Sequence, residues 1–328
     1  MAKKNAISSL LGIELPLIQA GMLWLANAEL AAAVSNAGAL GTVSPYAGMA
    51  KDGDPVANLE HQIKRVRQLT GKPFAVNIPL DLSLSGILLD RAACLGARIV
   101  ITAAGNPMTY TALLKGQGAI VLHVIASVDQ ARKAQSAGVD AIIAQGIEAG
   151  GLHGRKALPL FSLLPQVADA VTLPIVAAGG IADARGMVAA IALGADAVQL
   201  GTRFIAVSEC VAHPSYKRAI LDAGDQGTVL MGADSRRTRI LKTAFAEHFL
   251  ALENSGATPE QLQAFRGFRS AWNAQLDGHL ESGEAHCGAS AGLIQDIVPA
   301  GELVMRLFKD SFGIIDLLCS KTITPRRT

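Results

Sequence analysis

No stretch of this chain approaches the roughly 18 consecutive apolar residues that a membrane-spanning helix needs. Half of the 328 residues are apolar, but Ala, Val, Ile and Leu come in short runs broken by Gly, Pro and charges. Even the Ala-rich stretch from Val171 to Leu200 is interrupted by Asp183, Arg185 and Asp196, as expected for buried parallel strands and their covering helices. Excess charge is also missing. A formal net charge of +2 gives no electrostatic footprint for nucleic acid or an anionic membrane, so small-molecule partners are expected. The four cysteines, Cys94, Cys210, Cys287 and Cys319, lie far apart, without the paired spacing that binds zinc or exchanges disulfides. They read as reduced structural thiols, and no metal site is expected. Cys287 could use His286 as a base only if these neighbours in sequence faced each other, which neighbours rarely do. No secretory signal is visible, because Met1-Ala2-Lys3-Lys4 runs into the polar Asn5–Ser9 stretch, and a cytoplasmic location is expected.

What the chain does have is a repeated unit: a short β-branched run, a turn, then an Ala/Leu-rich amphipathic segment. Strands are predicted at Leu15–Gln19, Leu40–Val43, Phe74–Ile78, Ile99–Thr102, Ile120–Val124, Ala141–Ala144, Ile175–Ala177 and Ala197–Leu200. Helices are predicted between them, at Ala28–Asn36, Val56–Leu69, Ile87–Leu95, Val128–Ala137, Leu163–Ala170 and Arg185–Leu193. No G-x-G-x-x-G follows the first strand, where a dinucleotide-binding sheet would carry it. Glycine turns cluster instead after the late strands, where a (β/α)₈ barrel holds a phosphate. The expected fold is therefore an α/β (β/α)₈ TIM barrel formed by residues 1–204 with 288–320. Residues 205–287, charged and irregular, are read as a smaller helical lobe inserted before the last barrel helix.

Active sites of such barrels lie at the C-terminal strand ends. The seventh strand ends in Ala178-Gly179-Gly180 and the eighth in Gln199-Leu200-Gly201-Thr202. Both turns bring backbone N–H groups and small residues to one place, with the dipole of the helix after the seventh strand behind them, a cradle for a dianion. Ala20-Gly21-Met22 after the first strand offers close backbone approach and a polarizable surface for a flat ring. Asn77, Thr102 through Asn106, and Gln145 add polar groups to the same rim. The loop after the sixth strand, Gln145–Arg155, carries Gly150 and Gly151 and then His153, the leading acid/base candidate because histidine titrates near neutrality. Glu148 is read as orienting this loop or pairing with Arg155. His123 is read as facing the barrel mouth, His213 as structural, and Arg236, Arg237 and Arg239 as a solvated face.

These motifs resemble the nitronate monooxygenase (2-nitropropane dioxygenase) family and its relatives, the FMN enoyl-ACP reductases and NADH:quinone reductases. The resemblance rests on Gln19–Met22, AAAVSNAGALG from Ala31, Val76-Asn77, Thr102–Pro107, Gln145–Gly154, AAGGIAD from Ala177, GADAVQLGTRF from Gly194 and GASAGLIQD from Gly288. It implies a bound FMN, with Met22, Asn77 and Gln145 at the flavin and Gly179, Gly180, Gly201 and Thr202 at its phosphate. It also implies oxidation of alkyl nitronates by O₂ to a carbonyl compound and nitrite. The family loop reads E-A-G-G-H-x-G, whereas here Leu152 takes the histidine's place and His153 follows. Val124 stands where quinone-reductase-like relatives carry a lysine. The alternatives are an NAD(P)H-dependent reductase of enoyl-thioester or quinone type and a non-redox barrel binding a phosphorylated metabolite. A homodimer is left open.

Overall fold

The computed structural model describes residues 5–154, 157–232, 236–267 and 269–321. In chain order the strands are β1 (Leu17–Gln19), β2 (Gly41–Val43), β3 (Phe74–Pro79), β4 (Ile99–Ala103), β5 (Ile120–Ile125), β6 (Ala141–Gln145), β7 (Gly151–Leu152), β8 (Ile175–Ala178), β9 (Ala197–Leu200), β10 (Thr228–Met231) and β11 (Thr238–Leu241). Eight of them form one parallel sheet in the order β1-β9-β8-β6-β5-β4-β3-β2. The Ile18↔Leu40 bridge joins β1 to the residue before β2, so the sheet closes on itself. The eight barrel strands lie where the sequence pattern predicts, to within two residues at each end. The reason is that both faces of each strand are buried, which makes each one a short, nearly continuous apolar run.

Strand alternation divides the apolar side chains into two layers. Ile18, Leu40, Ala75, Ile101, Leu122, Ile143 and Val176 fill the barrel interior, whereas Val76, Val100, Val121, Ile142 and Val198 point outward beneath the helices. An unpredicted helix, α1 (Ala6–Leu11), plugs the N-terminal end: Ile7, Leu11 and Ile13 pack with the interior layer. The Asn5 side chain accepts from the Ile7 amide and donates to the Asp196 carbonyl at 2.6 Å. Six residues are too few to display a helical period, which is why the sequence reading passed over it.

The outer ring consists of α2 (Ala28–Asn36), α3 (Pro55–Leu69), α4 (Ser85–Cys94), α5 (Thr111–Gly116), α6 (Val128–Ser136), α7 (Leu160–Ala170) and α8 (Ala184–Ala192). After β9 come α9 (Thr202–Ile205), α10 (Pro214–Leu221), α11 (Ala244–Asn254), α12 (Pro259–Arg266) and α13 (Ser270–Gln275). The final helix, α14 (Ala300–Lys321), then packs between α8 and α2. The segment between β9 and α14 is not purely helical. It contains the antiparallel pair β10–β11, and β11 pairs in turn with β7 from the loop after β6. Met231, Ile240, Phe245, Ala246 and Phe249 form a separate apolar cluster there.

Candidate active site

At the C-terminal ends of the barrel strands lies a cavity of about 410 Å³, roofed by the β6 loop and by residues from the β9–α14 segment. Its volume falls in the usual range for small-molecule and cofactor sites. Of the residues predicted at the site, Ala20, Gly21, Met22, Asn77, Gln145, Gly150, Gly151, His153, Ala178, Gly179, Gly180, Gln199, Gly201 and Thr202 line it, whereas Thr102, Asn106 and His123 do not. Leu23 (φ 25°) and Ala104 (φ 54°) also line it, and both hold backbone conformations that L-residues rarely adopt. Such strain is concentrated at functional sites.

Four chain segments interlock around the two glycine turns. Gly179 (φ 95°) and Gly180 (φ 74°) are left-handed, and a Cβ at Gly179 would lie 3.0 Å from the Ala149 amide nitrogen. A Cβ at Gly150 would lie 2.8 Å from the Gly288 nitrogen, and the Gly288 amide donates to Thr202 Oγ1 at 2.9 Å. Backbone therefore meets backbone where the phosphate cradle was expected. At the α8 terminus the Asp183 side chain already accepts from the first-turn amides of Arg185 and Gly186, so these two are not free donors to an anion.

On the opposite wall, Gly21 lies against Asn77. A Cβ at Gly21 would come within 2.2 Å of both Asn77 Cγ and Oδ1, so glycine is required for Asn77 to keep its place. Asn77 Nδ2 donates to the Ile101 carbonyl at 3.1 Å, and Gln145 Nε2 donates to Leu152 O at 2.9 Å. Thr102 does not join them. It follows the inward-facing Ile101, so alternation turns it outward, where its hydroxyl meets His123 Nδ1 at 2.7 Å and the Leu122 carbonyl at 3.2 Å. His123 is likewise turned away from the mouth and is buried among outer-layer residues, correcting the expectation that it faces the cavity. Asn106 caps a short turn through the Met108 amide.

The β6 loop is held at several points. Both carboxylate oxygens of Glu148 lie 2.9 Å from the Leu160 amide, the first of α7, which is the orienting role expected of it; Arg155 lies outside the described residues. Arg239 donates to the Ile147 carbonyl at 3.0 Å, and Arg236 lines the cavity. Arg239 is therefore not part of a merely solvated face: β11 delivers it to the loop, while Ile240 points into the apolar cluster.

His153 is buried at the cavity wall, and its Nε2 lies 2.8 Å from the Ala149 carbonyl. A carbonyl only accepts, so Nε2 carries the hydrogen and Nδ1 keeps a bare lone pair. Nδ1 has no hydrogen-bond partner among the described residues. Burial pushes this imidazole down to about 4, with the charges of Arg239, Arg237 and His286 adding to the effect against the Ala149 hydrogen bond. It is a neutral acceptor at neutral pH.

The sequence reading missed the lobe-side wall, formed by Tyr216, Arg236, Gln275 and His286. The Glu284 and His286 side chains share one side of an extended segment, and their spacing of two residues was the available signal. Cys287, next to them, points away from chemistry: it is fully buried and burial pushes its thiol far up, so it is no nucleophile.

Comparison with known proteins places these features in a family. The nitronate monooxygenase family model matches residues 4–86 and 84–310. The chain belongs to the nitronate monooxygenase family. A nitronate monooxygenase of Paraburkholderia phytofirmans is 34% identical, covering 94% of this chain and 95% of that protein. At 33% identity, the (3aS,4S,5R,7aS)-5-hydroxy-7a-methyl-1-oxo-octahydro-1H-indene-4-carboxyl-CoA dehydrogenase of Mycobacterium tuberculosis covers 95% of this chain and 97% of its own. FabK of Thermotoga maritima superposes with a TM-score of 0.90 at 38% identity, over 97% of this chain and 99% of that one. This member of the nitronate monooxygenase family is accordingly a flavin-dependent oxidoreductase on a (β/α)₈ barrel, and the non-redox reading falls away.

Proposed function

We propose that this protein binds FMN in the cavity and oxidises alkyl nitronates with O₂ to a carbonyl compound and nitrite. The observation that carries the reading is the state of His153. An imidazole at the cavity wall that burial holds neutral, its Nε2 hydrogen already committed to the Ala149 carbonyl, is poorly suited to hand a proton to a product, as a reductase must. A nitronate arrives already deprotonated and asks for no such donor.

The residues present suit FMN. Gly179, Gly180, Gly201 and Thr202 would hold the phosphate through backbone and hydroxyl groups, with Ala178, Gln199, Gly150 and Gly151 packed around it. Ala20, Gly21, Met22, Asn77 and Gln145 would meet the ring system, the amides at its polar edge and Met22 along an apolar face. The orphaned His153 Nδ1 is the kind of buried atom that a ligand hydrogen satisfies. Bound FMN supplies the electron acceptance and the reactivity toward O₂. The chain positions the anion, and the β6 loop with Leu152 keeps water from it.

The test is oxygen uptake and nitrite release by the FMN-loaded protein on adding propane-2-nitronate. Absence of both rejects the reading. A second reading, NAD(P)H-dependent reduction of an unsaturated acyl thioester, is favoured by the likeness to FabK and to the CoA dehydrogenase. It requires rapid anaerobic bleaching of the flavin by NADH or NADPH.

A further inference from the structure

The second histidine of the cavity has a setting opposite to that of His153. His286 Nε2 lies 3.2 Å from Glu284 Oε2, and the other oxygen of Glu284 lies 3.3 Å from Arg266 Nη1. Glu284 and Arg266 are both buried, with side chains 7% and 6% exposed, whereas the His286 side chain is 25% exposed and opens on the cavity. The segment is fixed from two further elements: the Tyr216 hydroxyl on α10 donates to the His286 carbonyl, and Gln275 Nε2 on α13 donates to the Glu284 carbonyl at 3.1 Å. Burial alone would raise the Glu284 carboxyl. The hydrogen bond from His286 and the charges of His286, Arg266 and Arg236 outweigh it and hold the group below its ordinary value, so it stays ionised.

A carboxylate against Nε2 requires a hydrogen there, which leaves Nδ1 for a ligand. On that side lies Gly151, where even an added Cβ would sit 3.6 Å from Nδ1, so no side chain of the loop intervenes. Arg236 lines the same cavity. We propose that His286, aimed by Glu284 and assisted by Arg236, binds the oxyanion of the substrate; this rests on the nitronate reading, in which the ligand carries a full negative charge on its N–O oxygens. With Nε2 committed to Glu284, the doubly protonated ring donates through Nδ1 to such an oxygen, and no covalent bond changes. Arg266, Arg236, Arg239, Cys287 and His153 are the other charged or titratable groups around this pair.

Isobutyrate tests this, because it has the shape and charge of propane-2-nitronate and no oxidisable nitronate. It is titrated into the FMN-loaded protein by calorimetry, with the flavin absorbance followed in parallel. The expected result is saturable binding of about one isobutyrate per protein with a shift of the flavin bands. His286→Gln should bind isobutyrate at least ~tenfold more weakly while retaining FMN and its melting temperature, and Glu284→Gln, which releases the aim of the ring, should weaken binding in the same direction. No wild-type binding, or binding to H286Q as tight as to wild type, overturns the proposal; if H286Q does not fold, binding to E284Q as tight as to wild type overturns it. If nitronates are turned over but isobutyrate ignores His286, only this inference fails. If isobutyrate follows His286 but nitronates are not turned over, only the nitronate reading fails.

Discussion

His123 and His153 are both pushed down to about 4 by burial, yet they serve different ends. His123 is packed between barrel and helices with Thr102, whereas His153 lines the cavity. Both folded-state values lie below the ordinary value near 6.5, so the native state favours the neutral rings. Their contribution to stability is complete above pH 6.5 and is lost as pH falls toward 4, by up to roughly 3 kcal/mol per ring. Urea unfolding should therefore show a steep loss of stability between those pH values, and His123→Asn should make it shallower. A pH-independent midpoint would contradict this. Because a nitronate needs no proton from the ring, His153→Asn should leave nitronate turnover within about threefold; a loss of tenfold or more, about 1.4 kcal/mol in barrier, would contradict this. Gly21→Ala should strip the protein of flavin, read as lost visible absorbance in a protein that still melts cooperatively. The added methyl takes the space of the Asn77 amide.

At the scale of elements, legibility in the sequence follows burial and length. The barrel strands were legible because each is a β-branched run ended by glycine or a polar residue. Helix α1 is too short to show a helical period, and β7, β10 and β11 lack the continuous burial of the barrel strands. The facing of Thr102 and His123 could be fixed only through the register, which pairs them across β4 and β5 on the outer side. The anion cradle was legible in its glycines but not in its helix, since Asp183 reads equally well as a cap and as a loop residue. The Glu284–His286 wall was illegible because it depends on where the chain returns to the barrel after roughly eighty residues. The β6 loop gives this scale its own prediction. Glu148→Ala removes the acceptor of the first α7 amide, so it should cost about 1–2 kcal/mol in unfolding free energy and raise the FMN dissociation constant. Loss of stability with unchanged FMN affinity would separate the cap from the site.

As a whole molecule the protein joins a closed barrel to a cover built from the β6 loop and the β9–α14 segment. The barrel brings the strand ends of β1, β3, β6, β8 and β9 to one cavity, and the chain between β9 and α14 supplies the wall that differs in kind, with a buried carboxylate, an arginine and a second histidine. On the proposed reading, that division would let one barrel serve relatives named as dehydrogenase, FabK and monooxygenase, with the strand-end turns holding the flavin and loop and cover choosing what meets it. The central claim is that this cover selects a preformed anion and passes its electrons to O₂. An oxygen electrode decides it most directly. FMN-loaded protein given propane-2-nitronate without any nicotinamide should consume O₂ and release nitrite; no uptake, together with rapid anaerobic bleaching by NADH or NADPH, would contradict the account and assign the site to a reductase.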